Sequence, residues 1–105
     1  MIRPVVFGGL MTVLALAAVG DAAPAPRVEI KQFKFEPAQL AVPVGATVTW
    51  INDDQETHTV TATDRAYTST GLEHAESFSH RFTAAGTYTY FCALHPHMIA
   101  TVVVR

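Results

Sequence analysis

Residues 87–98 read Thr-Tyr-Thr-Tyr-Phe-Cys-Ala-Leu-His-Pro-His-Met, a strand pattern that leads directly into a short loop rich in metal donors. Side chains of a strand alternate between two faces, so Tyr88, Tyr90 and Cys92 share one face. Cys92 is therefore expected to point inward where the strand ends. The loop that follows adds an imidazole at His95 and a thioether at Met98. A thiol, an imidazole and a thioether thus lie close enough in the chain to bind one metal ion.

The donor types of this loop indicate copper. A soft thiolate and a weak thioether select copper, and one Cys with two His and a distant axial Met is the ligand set of a blue-copper electron-transfer site. Zinc has no use for a thioether, and structural zinc sites need four N, S or O donors, whereas only three are available here. The pattern therefore predicts one type 1 copper ion and requires a second His from elsewhere in the chain.

His58 is the expected second imidazole. If two sheets end at one pole of the molecule, an inter-strand loop that carries His58 would lie over the loop 92–98. His74 and His80 lack a comparable neighbourhood and are interpreted as bystanders. His97 lies inside the ligand loop, but a ligand role would require its side chain to point opposite to its neighbours.

The rest of the chain predicts an all-β fold. Short segments rich in Val, Thr, Phe and Tyr, broken by Pro and Gly, have the spacing of a β-sandwich or barrel. About seven or eight strands are expected, with the clearest patterns over residues 28–35, 40–42, 47–52, 58–63, 76–82, 87–92 and 99–104. The stretch 64–75 is expected to be irregular, with room for a helical turn.

The N-terminal residues predict export. Arg3 supplies a positive charge, an uncharged apolar run follows over residues 5–19, and small residues come next. This order is typical of a secretory signal peptide, and the run is shorter than the stretch of about 20 residues that a spanning helix needs. The mature protein is expected in the periplasm or another exported location, without stable membrane insertion. We predict a signal peptide over 1–22, a flexible leader over 23–27 and one β domain over 28–105.

Composition limits the domain count and the classes of partner. With 105 residues, 50% of them hydrophobic, the chain holds at most one small domain. The single Cys excludes an internal disulfide, and metal ligation would explain an unpaired thiol in an exported protein. The formal net charge is −2, whereas nucleic-acid binders typically carry an excess of basic residues. Nucleic acid is therefore not an expected partner.

The quoted residues resemble the cupredoxins, most closely the amicyanin- and plastocyanin-like proteins with a short Cys-x-x-His-x-x-Met ligand loop. The resemblance spans about residues 28–104, and its carriers besides the loop are the segments 48–52, 58–60, 78–82 and 86–92. It implies a two-sheet Greek-key β-sandwich with one copper ion at one pole. The copper ligands that it implies are His58, Cys92, His95 and Met98.

The resemblance also implies a function. The expected protein is a single-electron carrier that cycles between Cu(I) and Cu(II) and is not an enzyme. It is expected to act as a monomer that serves redox proteins, such as a periplasmic dehydrogenase or a soluble cytochrome c. Electrons are expected to leave through the exposed edge of His95, from a surface patch that His97 makes more polar.

Outer hydrogen bonds orient the ligands of a metal and tune it, so the surroundings of the site matter. The resemblance implies that Asn52 ties the loop of His58 to the loop of Cys92. The hydroxyl residue that often follows the Cys in this family is replaced here by Ala93. Pro96 removes one amide hydrogen and favours an extended residue before it, so it should stiffen the ligand loop.

Two other hypotheses stay open at this point. A copper carrier or storage module could use the same ligands without cycling the ion, and it should release Cu(I) to modest chelators. A plain immunoglobulin-like interaction domain would bind no metal. The colour of the protein with Cu(II) separates these classes, because an electron carrier should be intensely blue and ascorbate should bleach it.

Overall fold

The computed structural model describes residues 25–105, so the predicted signal peptide lies outside the described residues. The described range contains eight strands and no helix. Its strands are Arg27–Lys31 (β1), Lys34–Glu36 (β2), Gln39–Val42 (β3), Thr47–Asn52 (β4), Thr61–Ala62 (β5), Ser77–Arg81 (β6), Gly86–Phe91 (β7) and Ile99–Val104 (β8). Across residues 25–105, no helix is long and apolar enough to cross a membrane. The predicted all-β fold is confirmed.

The strands form two four-stranded sheets with the orders β2-β1-β4-β6 and β3-β8-β7-β5. β1 pairs with β4 in parallel, and β3 pairs with β8 in parallel, while the other neighbours are antiparallel. Because β4 and β5 belong to different sheets, residues 53–60 cross from one sheet to the other. The predicted two-sheet sandwich is therefore also confirmed.

One pole of the sandwich gathers three connections. The parallel register of β1 and β4 places Ile30 beside Asn52, so the turn after β1 and the segment after β4 leave the sheet at the same end. Thr61 at the start of β5 pairs with Phe91 at the end of β7, which brings the loop after β7 to that end as well. The topology thus places the two predicted ligand loops together.

The core between the sheets fixes the end of β7. Trp50 on β4 and Tyr90 on β7 are fully buried, and their ring centroids lie 5.3 Å apart in an edge-on arrangement. Aromatic pairs of this geometry add stabilisation beyond the area that they bury. Since Tyr90 precedes Cys92 by two positions on the same face, this packing holds the thiol at the inner side of the pole.

The first predicted strand is divided in two. The sequence indicated one strand over 28–35, but a two-residue turn at Gln32 and Phe33 separates β1 from β2, and Lys31 pairs with Lys34 across it. Both turn residues have left-handed backbones, with φ of 53° and 57°. Two-residue hairpin turns of this kind favour Asn-Gly, so Gln-Phe gives no local turn signal.

Two further boundaries differ from the prediction. The expected strand over 58–63 is reduced to Thr61–Ala62, with only an isolated bridge between His58 and Leu72 before it. The stretch 64–75 is irregular as predicted and contributes bridge residues rather than a helical turn. β1 begins at Arg27, inside the segment predicted as a leader.

Candidate metal centre

The side chains of His58, Cys92 and His95 converge at the pole. The Sγ atom of Cys92 lies 3.8 Å from Nδ1 of His58 and 3.6 Å from Nδ1 of His95. One donor atom from each residue lies within 4.8 Å of the others. Metal bonds to Cys and His run about 2.0–2.3 Å, so the two sulfur–nitrogen distances allow one ion to contact Cys92 and either imidazole. The structure therefore brings the three strongest predicted donors into one group.

Backbone hydrogen bonds close the ligand loop and place Met98 beside this group. The N–H of Met98 donates to the carbonyl of His95 (2.9 Å), and the N–H of Cys92 donates to the carbonyl of Met98 (3.1 Å). The side chain of Met98 is buried, and Pro96 lies on the exposed outer side of the loop. His58, Cys92, His95 and Met98 are thus positioned as a copper site, and the soft donors among them fit copper.

Thr59, to which the sequence assigned no role at the metal site, ties the two ligand loops together. Its backbone N–H donates to Sγ of Cys92 (3.4 Å), and its Oγ1 accepts the N–H of Ala93 (2.8 Å). The hydroxyl group that is absent from Ala93 is therefore supplied from the opposite loop. The signal that could have revealed this role is the position of Thr59 directly after a candidate ligand.

Asn52 shapes the segment that carries His58, and it is Thr59 rather than Asn52 that reaches the Cys92 loop. The fully buried Nδ2 group of Asn52 donates to the carbonyls of Glu56 and Leu72, both at 2.8 Å. Its Oδ1 accepts the N–H of Asp54 (2.9 Å). One amide side chain therefore holds the whole turn that precedes His58.

Asp54 is a second residue of the site that sequence reasoning missed. Its Oδ2 lies 2.8 Å from Nε2 of His58, and its carboxylate also accepts the backbone N–H groups of Gln32 (2.7 Å) and Phe33 (3.0 Å). Burial raises the pKa of Asp54, but these hydrogen bonds together outweigh burial, and the pKa lies below its ordinary value. The ionised carboxylate can only accept, so Nε2 of His58 donates to it and Nδ1 stays available to a metal.

Phe33 covers the imidazoles on the outer side. Its ring stands nearly perpendicular to those of His58 and His95, at centroid distances of 4.9 and 4.8 Å. Phe33 is 39% exposed, whereas His58 is fully buried. His95 is partly exposed, and the exposed His97 lies 6.4 Å from it between ring centroids. The predicted electron-transfer edge thus lies at the surface beside an aromatic ring.

The remaining histidines lie outside the donor group. Nδ1 of His74 is 3.2 Å from the backbone carbonyl of Asp54, to which it can donate. The ring of His80 stacks on Tyr67 with a centroid distance of 4.1 Å, and burial lowers the pKa of His80. Their interpretation as bystanders agrees with these positions.

Two four-stranded sheets that hold one Cys, two His and one Met at a single pole define a class of small β-sandwich copper proteins. The chain belongs to the cupredoxin-like domain family, which matches it over residues 4–104. The resemblance seen in the sequence is confirmed.

Known relatives and solved structures of this family are similar along most of the chain. Amicyanin of Paracoccus denitrificans is 39% identical over 96 residues, covering 87% of this chain and 72% of that protein. Plastocyanin of Scenedesmus fuscus is 35% identical over 72 residues, covering 58% of this chain and 74% of that protein. A Cu(I) form of a mutant amicyanin has a TM-score of 0.74 at 38% identity, covering 84% of this chain and 89% of that one. A purple cupredoxin from Nitrosopumilus maritimus has a TM-score of 0.73 at 30% identity, covering 76% and 99%.

Replacing Asn52 with Ala is expected to lower the free energy of unfolding of the metal-free protein by about 1–3 kcal/mol, because buried groups lose their hydrogen-bond partners. Urea denaturation followed by circular dichroism measures this change. The control is Gln55→Ala, at an exposed position of the same segment. Its expected effect is within about 0.5 kcal/mol. Equal stability of the two variants would contradict the role assigned to Asn52.

Proposed function

We propose that this chain is a type 1 copper protein that carries single electrons between redox partners. The observation that carries the proposal is the convergence of one thiol sulfur and two imidazole nitrogens at a buried pole, with a buried Met at the end of the same loop. When bound there, copper supplies one-electron chemistry through its Cu(I) and Cu(II) states. The proposed ligands are His58, Cys92, His95 and Met98.

The residues around the proposed donors orient them by hydrogen bonds. Asp54 orients the ring of His58, Thr59 contacts the sulfur of Cys92, and the closed loop fixes His95. Donors that the protein holds in position need little rearrangement when the charge of the site changes, which favours electron transfer. The similarity to amicyanin and plastocyanin supports a carrier rather than an enzyme.

The exposed edge of His95 is the proposed route for electrons. It adjoins the half-exposed ring of Phe33, and Leu94 on the same loop is 54% exposed. An apolar surface of this kind suits brief docking of another redox protein, with His97 as a polar member of the patch. The proposed partners are a periplasmic dehydrogenase or a cytochrome c, met by a monomer of this chain.

Cu(II) added to the purified protein is expected to produce an intense blue colour that ascorbate bleaches and that returns on oxidation. The copper should stay bound through repeated cycles in the presence of a modest Cu(I) chelator. Absorption spectra and copper analysis after each cycle measure both properties. A protein that binds copper but yields Cu(I) to the chelator would instead be a carrier or storage module.

Variants of the donors provide the controls for this experiment. Cys92→Ser and His58→Ala should lose the blue absorption, because each removes a donor of the converging group. His74→Ala and His80→Ala should keep it. A normal copper spectrum from His58→Ala would exclude the proposed ligand set.

Met98→Gln is expected to retain copper and shift the reduction potential, because a weak axial ligand tunes the potential more than it holds the ion. Protein-film voltammetry measures the shift. Ile99→Gln is a matched control, since it places the same side chain one position further along, at a site that is 59% exposed. An unchanged potential in Met98→Gln would contradict an axial role for Met98.

We also propose that residues 1–22 direct export and are removed, so that the copper domain works in the periplasm or a comparable compartment. The support for this is the charged start, the short apolar run and the small residues that follow it. N-terminal sequencing of the protein recovered from an exporting bacterial host should find a start within a few residues of Ala23. Full-length protein retained in the membrane fraction would contradict the proposal.

A further inference from the structure

We propose that Asp54 is a positioning residue that couples the β1–β2 turn to the metal centre. One carboxylate group receives three hydrogen bonds, from the N–H of Gln32, the N–H of Phe33 and Nε2 of His58. The carboxylate thereby aims one proposed ligand and holds the aromatic cover of the site at the same time. This inference rests on the proposed function only where it concerns copper.

The position of the carboxylate is itself fixed by its backbone. The N–H of Asp54 donates to Oδ1 of Asn52, and the carbonyl of Asp54 lies 3.2 Å from Nδ1 of His74. The preceding residue, Asp53, donates its N–H to the carbonyl of Ile30 near the end of β1. The side chain of Asp54 is only 14% exposed. The position of Asp54 is therefore fixed by contacts with other parts of the protein.

The β1–β2 turn depends on this carboxylate because its own sequence does not favour the conformation. Gln32 and Phe33 have φ of 53° and 57°, a region that is unfavourable for side chains other than Gly, Asn or Asp. The two amides of the turn both point to Asp54, whose negative charge strengthens the bonds. Without the carboxylate, the left-handed backbone of these two residues loses the hydrogen bonds that stabilise it, and we expect the turn to change its conformation.

The β1–β2 turn places Phe33 over the two imidazoles. The ring contacts His58 and His95 at centroid distances of 4.9 and 4.8 Å, so a change of the turn would displace it from both. Loss of the carboxylate would also leave Nε2 of the buried His58 without its hydrogen-bond partner. Orientation of a ligand and shielding of the site thus depend on the same group.

The decisive measurement uses the metal-free protein labelled with ¹⁵N. In the wild type, the His58 ring is expected as the tautomer protonated at Nε2, because the carboxylate of Asp54 accepts a hydrogen bond from that N–H. Asp54→Asn is nearly the same size and should introduce the tautomer protonated at Nδ1. The amides of Gln32 and Phe33 should exchange with solvent at least about tenfold faster in Asp54→Asn and Asp54→Ala, since local opening becomes easier. Asp53→Asn is the control, because it removes the same charge from the exposed neighbour and should change neither property.

A second arm measures copper affinity by competition with a Cu(I) chelator. Asp54→Asn should bind about 10–100-fold more weakly than the wild type, the usual cost of losing an outer partner of a ligand. If the wild type binds no copper, the proposed function fails, yet the ¹⁵N arm still decides the role of Asp54. If the variants do not fold, the wild-type spectrum remains decisive, since a His58 ring protonated at Nδ1 would overturn the inference. Unchanged tautomer and exchange rates in folded Asp54→Asn would overturn it equally.

Discussion

The hydrogen bonds between Thr59 and residues 92–93 are the constraint on which the metal centre depends. They join the segment that leaves the first sheet to the strand end of the second sheet, through Cys92 Sγ and the N–H of Ala93. Neither sheet holds a complete donor set by itself, because His58 arrives from one and Cys92 from the other. Packing of the two sheets therefore creates the site. An ion that binds only to the folded protein would stabilise the fold by mass action.

The pole is stabilised differently from the rest of the interior. The residues between the sheets are mainly apolar and aromatic, whereas Asn52, His58 and Thr59 are buried polar groups gathered at one end. Burial of such groups is costly unless they are paired, and each of the three has hydrogen-bond partners within the described chain. A hydrogen-bonded polar network of this kind favours one arrangement of the core, which suits a site that must keep its donors at set distances.

The sequence allowed the fold class and the main donors to be predicted, because both are encoded locally. Alternation over 47–52 and 87–92 marks the strands, and the spacing of Cys92, His95 and Met98 marks the loop. The turn at Gln32 and Phe33 could not be predicted, since it is held by a carboxylate 21 and 22 positions away. Thr59 and Asp54 were missed for a related reason: their roles follow from the direction of a side chain at the pole, which periodicity alone does not give.

The packing of Trp50 has a consequence for how this protein can be observed. It is the single tryptophan of the chain, it is fully buried, and its ring contacts that of Tyr90, two positions before the thiol of Cys92. An indole in apolar surroundings fluoresces at shorter wavelengths than one in water, and its emission is quenched by electron acceptors nearby. The core therefore contains a native fluorophore that is separated from the metal pole by the side chain of Tyr90. We expect the wavelength of its emission to follow unfolding and the intensity of its emission to follow metal binding, without any added label.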